Sequence, residues 1–225
     1  MPQSSVAKND PTQVKVWDGF VRVSHWVVVA GFFAAYLSED DFLTLHVWAG
    51  YTVGVFVVLR ILWGFVGPRH ARFSDFVCGP GKVFGYLMNL LTLRAKRHLG
   101  HSPAGGAMVL VLLGGLLAIV WSGLVLYAVE EHAGPLAAVY GQVEGQRAPM
   151  TAAANTENSS NDEDDEHDED EGDEFWEEVH EVLANLVLAL VILHVAGVTL
   201  TSVVHRENLV RSMITGLKRA NGDQK

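Results

Sequence analysis

Four long apolar runs constrain this chain more than anything else in it, at approximately 20–37, 42–66, 107–129 and 176–204. Each is close to the roughly 20 residues that a helix needs to cross a bilayer. The expected fold class is therefore all-α, an integral membrane four-helix bundle. The first run follows a polar start with Lys8, Asp10 and Lys15, and ends at Leu37-Ser38-Glu39 with no small-x-small cleavage site. It reads as a retained helix, not a signal peptide.

Composition agrees: with 49% hydrophobic residues and a mean hydropathy of +0.21, the chain is too apolar in blocks for an ordinary soluble domain of its size. The net charge of −10 conceals a strong asymmetry, because thirteen of the twenty-six acids lie between Asp162 and Glu178. The remaining thirteen face sixteen Lys and Arg, so the rest of the chain is slightly basic. The single cysteine, Cys78, excludes an internal disulfide, and no Cys-x-x-Cys-His is present for the usual covalent attachment of haem.

The segments between the runs set the expected orientation. Residues 1–19 form a short polar tail, expected to be loosely ordered. The connection 67–106 is basic, with Arg69, Arg72, Lys82, Arg94, Lys96 and Arg97 against Asp75, and its stretch 83–93 suits an amphipathic helix in the membrane surface. The tail 205–225 carries His205, Arg206, Arg211, Lys218 and Arg219. In contrast, the 38–41 link and the 130–175 loop are acidic, and the run 162–171, interrupted by His167 alone, is expected to be extended and mobile through self-repulsion. The positive-inside rule then puts both termini in the cytoplasm and the acidic loop outside.

The histidines inside the spans carry the chemistry. His180 and His194 are fourteen residues apart in the fourth run. At 3.6 residues per turn they share a face, separated by about 21 Å along the axis. His25 lies near the inner end of the first run and His46 near the outer start of the second. Depth alone therefore couples His25 with His194 at the inner level and His46 with His180 at the outer level. Two bis-histidine sites stacked across a membrane are what two b-type haems require, whereas zinc normally wants four ligands, cysteines among them. Gly50 and Gly54 follow His46 on its face, a pattern that suits either a flat group lying on the backbone or close helix packing. Arg60, fourteen residues beyond His46, needs an anion. The third run contains no histidine and is assigned no ligand.

The Arg22-x-x-His25-Trp26 start, His46 with its downstream glycines and Arg60, and the His180-to-His194 spacing resemble the bacterial cytochrome b561 family and the related b-type cytochrome subunits of membrane hydrogenases. The resemblance spans roughly residues 16–217. The tail His205-Arg206-Glu207-Asn208-Leu209 is similar to a subgroup associated with periplasmic c-type haem proteins, while the long acidic insertion before the last helix is a departure. The resemblance implies two non-covalent b haems in the bacterial inner membrane, with His25 and His194 on the inner iron and His46 and His180 on the outer. It makes Arg22 and Arg60 partners of haem propionates, although either arginine also suits snorkelling to lipid phosphate. It also implies exchange of electrons with the quinone pool.

Six-coordinate irons favour electron transfer over oxygen chemistry. The expected function is transmembrane electron transfer between quinone and a redox partner on the outer side, as an electron-transfer protein or a quinone-linked oxidoreductase component. The acidic loop suits a basic partner such as a periplasmic c-type cytochrome. Two rivals stand beside it. A superoxide:quinone oxidoreductase is disfavoured because thirteen carboxylates would repel the anion. A metal or proton transporter, with the loop as a metal trap, is disfavoured by the lack of Asp or Glu in the middle of the spans. His132 and His167 stand among acids, where a solvated charge run is the expected role. His70, His98, His101 and His205 lie in basic loops or at a helix end, in solvated or lipid-facing positions. Trp17, Trp26, Trp63 and Trp176 fit an interfacial belt. Without a Gly-rich phosphate loop, serine elbow or zinc-hydrolase motif, hydrolase and nucleotide-binding readings lack support, and no nucleic-acid partner is expected.

Overall fold

A computed structural model describes residues 13–38, 42–92, 94, 95, 98, 100–140 and 164–219, without the side chains of 13 and 164–173. The link 39–41, the loop 141–163, Lys96, Arg97 and the His167 side chain lie outside the described residues. Four helices are long and apolar enough to cross a membrane: α1 (Gly19–Tyr36), α2 (Leu43–Val66), α5 (Pro103–Glu130) and the Glu174–Val204 part of α7 (Asp164–Val204). Shorter elements connect them: α3 (Phe73–Phe76), α4 (Pro80–Leu91), α6 (Ala137–Tyr140) and α8 (Leu209–Thr215).

Local signals explain the boundaries. Asp18 caps α1 by accepting from the Val21 amide at 3.0 Å, and Ser102 caps α5 by accepting from the Gly105 amide at 3.1 Å. Pro103 and Pro80 sit at the helix starts, where a missing N–H costs nothing. Gly67-Pro68 stops α2. Helix α5 begins at Pro103, earlier than its apolar run at 107, because the cap and proline set its start.

α1 packs on α2, α2 on α5 and α5 on α7. Phe32, Val53, Val57, Leu116 and Val187 meet in the centre. Outside, Trp48, Phe65 and Val66 are 67%, 69% and 73% exposed. Large apolar side chains all round the bundle mark a surface facing lipid, not water. α4 lies against α5 with Tyr86 and Leu90 buried and Phe84, Leu87, Met88 and Leu91 exposed. Tyr86, which interrupts the apolar pattern in the sequence, is thus on the buried side of that helix.

Two expectations are corrected. The acidic run is not wholly extended, since α7 begins at Asp164. Acids at a helix N-terminus oppose the positive end of its dipole favourably, and a helix already nucleated in the membrane grows outward without a new nucleus. The N-terminal tail is not loose throughout: β1 (Gln13–Lys15) pairs antiparallel with β2 (Leu217–Arg219), Val14 opposite Lys218. Gly216 makes the turn from α8 into β2 with φ +81, and a side chain there would meet the Trp17 carbonyl at 2.8 Å. The two tails therefore close one end of the bundle together.

Candidate functional site

At the end opposite the tails, His46 from the first turn of α2 and His180 from α7 face each other with ring centres 5.9 Å apart and planes at 68°. Both line a mainly apolar pocket with Phe32, Tyr36, Gly50, Leu116 and Tyr127. The Nδ1 atom of each ring is engaged. His46 Nδ1 lies 3.0 Å from the Ala35 carbonyl, which can only accept. Ala35 is in the last turn of α1, and its carbonyl also accepts from the Ser38 amide at 3.1 Å and the Ser38 hydroxyl at 3.2 Å. His180 Nδ1 lies 2.9 Å from Ser122 Oγ, and Ser122 spends its one proton on the Ile119 carbonyl at 3.0 Å. The Ile119 carbonyl is a second acceptor within reach of His180, and with the imidazole proton on Nδ1 the serine oxygen accepts from His180 as well. Both rings carry their proton on Nδ1, leaving the Nε2 lone pairs for a metal.

Two opposed imidazoles sharing one metal, each nitrogen about 2 Å from it, have ring centres about 6 Å apart. The observed spacing suits that arrangement. The glycines divide between the two roles open to them in the sequence. A Cβ on Gly50 would meet nothing within 4 Å, whereas one on Gly54 would press on Val120 Cγ1 at 2.9 Å. Gly54 permits helix contact, and Gly50 lines the pocket. Gly123 of α5 makes room for the ligand ring itself, since a Cβ there would lie 2.8 Å from His180 Cε1.

At the tail end, His25 of α1 is close enough to His194 of α7 for the two to interact electrostatically. His25 stands edge-on to Trp26, ring centres 5.2 Å apart, and its buried Nδ1 has no hydrogen-bond partner among the described residues. Arg60 is buried, donates to the Ala71 carbonyl at 3.4 Å and lies over the Phe73 ring, 5.9 Å from its centre. The Asp18 carboxylate supplies a favourable charge to it. Arg22 donates to the Thr215 carbonyl at 3.2 Å, and its buried Nε has no partner among the described residues.

Sequence reasoning left two participants out. Ser122 lies on the helix assigned no ligand, where one hydroxyl in an apolar stretch has no pattern to betray it. His101, expected in a solvated or lipid-facing position, is packed between Trp17 (4.6 Å) and Phe76 (4.5 Å). Burial pushes its pKa down to about 3, with Arg60, Lys218 and His70 adding to the effect against Asp75. The polar spacing around residue 101 hides this, because the apolar walls come from 25 and 84 residues away in sequence.

Helical spans, an apolar exterior and opposed histidines with free Nε2 atoms define a membrane helical bundle able to hold a metal-centred prosthetic group. A family model, prokaryotic cytochrome b561, matches residues 16–216, and the chain belongs to that family. It is accordingly a multi-pass bacterial membrane protein of the b-type cytochromes, which bind haem and carry electrons across the membrane. Neither a curated protein nor a solved structure gives a significant match.

Proposed function

We propose that the chain carries electrons between the quinone pool and a redox partner on the outer face of the bacterial inner membrane, by way of two b haems. His46 and His180 hold one iron, His25 and His194 the other. The observation that carries this reading is the His46–His180 pair, with 5.9 Å between ring centres and both Nδ1 atoms hydrogen-bonded. When bound, each haem would supply a one-electron couple at an iron held by these histidines. The chain's own part is to fix the two imidazole tautomers, to keep Gly50 free of a side chain, and to surround the site with apolar groups that exclude water. At the tail end, Arg22 and Arg60 would balance propionate charge.

Both tails belong on the cytoplasmic side in this reading, supported by the basic 67–106 connection and C-terminal tail. The acidic segment before α7 then faces outward, where exposed Glu174, Glu177, Glu178 and Glu181 continue its charge down the helix. That surface suits a basic c-type cytochrome, whose encounter rate it raises. Oxidised and dithionite-reduced visible spectra with a pyridine haemochrome assay test the haem assignment. Two low-spin b haems per chain are expected; a colourless protein would overturn it.

A further inference from the structure

Ser122 is 1% exposed in the middle of an apolar helix, and its hydroxyl hydrogen is already given to Ile119. A serine so placed gains nothing from water, and its hydroxyl would be satisfied without any contact to another helix. Its second bond, 58 residues away in sequence, ends on His180 Nδ1 at 2.9 Å. Next to it, Gly123 clears the space that the His180 ring occupies. We infer that Ser122, with Gly123 beside it, is the positioning residue for His180: it holds the Nδ1 proton, fixes the ring's rotation and sets its strength as an axial donor.

The inference rests on His180 being a haem ligand, and its chemistry follows from the bond's direction. An acceptor on Nδ1–H pushes electron density toward Nε2 and stabilises the oxidised iron more than the reduced. The opposite ring is held differently, since His46 donates to a backbone carbonyl that no side-chain substitution removes. Ser122 is thus the side-chain control on the electron affinity of this site. It acts through His180 and does not touch the iron.

Three variants of the purified protein in detergent test this: S122A, S122T and H180A. Each is measured by haem per chain, by potentiometric titration of each haem and by low-temperature electron paramagnetic resonance. With S122A, the haem held by His46 and His180 is expected to become easier to reduce, its ratio of reduced to oxidised iron at fixed poise rising about tenfold, or about 59 mV for one electron. Its low-spin signal should change as the 68° angle between ring planes relaxes. The other haem should not move, and S122T should restore the wild-type values. An S122A protein with both potentials and both signals unchanged overturns the inference. If H180A in the same series still loses one haem, the ligand assignment survives that failure; if H180A keeps both, the ligand assignment itself falls. Should S122A be lost on purification, S122C gives the same comparison, because a thiol has nearly the same shape and is a weaker acceptor.

Discussion

The two ends of the bundle solve the same problem by different means. At the end away from the tails, the imidazoles of His46 and His180 are held by donating to a helix-end carbonyl and to a buried hydroxyl oxygen. At the tail end, His25 has no such bond on Nδ1 among the described residues, and the surroundings are instead crowded with cations and aromatic rings. Arg22, Arg60 and Lys218 lie there, and the paired tails pack Trp17 and Val16 over Ala71. One end fixes its ligands through specific bonds, the other through packing and charge. The difference teaches that bond-removing substitutions should act locally at the end away from the tails, while changes at the tail end should spread into stability.

The largest contrast is expected from the two glycines of α2. G50L places a side chain in the pocket beside His46 and should cost the haem held by His46 and His180, about half the reduced absorbance, while the helical circular dichroism stays as in the wild type. G54L drives into Val120 instead and should lower the stability of the bundle by about 1–3 kcal/mol, read as an earlier thermal transition, with haem still bound below it. The same loss of haem from both variants would erase the distinction between the two glycines.

A smaller effect is expected beyond the pocket. Deleting 157–173 removes the acidic extension of α7 but leaves the Glu174–Val204 span intact. Electron exchange with a basic c-type cytochrome should slow by about tenfold at low salt and converge with the wild type at high salt. Stopped-flow mixing reads this directly, and equal rates at low salt would remove the role given to the loop.

A third effect belongs to the tail end and depends on pH. His101 has a pKa of about 3 when folded, below its ordinary value of 6.5. Above pH 6.5 both folded and unfolded chains keep it neutral, so its contribution to stability is fully present. As pH falls from 6.5 toward 3, the unfolded chain binds the proton first and stability is lost. Thermal denaturation in detergent should therefore show H101L losing less stability than the wild type between pH 6.5 and 4.5. Parallel pH profiles would mean that the imidazole is protonated in the folded state as well.

The sequence carried the features that follow a period. Four runs of bilayer length and histidines fourteen residues apart place imidazoles on one helix face at two depths, whichever residues lie between them. Interactions without a period were hidden. The Ala35 carbonyl belongs to a group every residue has, and it matters only because α1 ends there and α2 folds back beside it. Ser122 is one hydroxyl in an apolar run. The tail pairing involves three residues on each side, too few to show strand alternation, and the acidic run's own repulsion masked the helix that α7 extends into it.

The measurement closest to the central claim is haem per chain, by pyridine haemochrome, in the wild type, H180A and H194A. Two b haems in the wild type and about one in each variant, with different potentials for the haem that remains, is the result expected of two bis-histidine sites at opposite ends. A single haem in the wild type, or two haems that survive both substitutions, would contradict it.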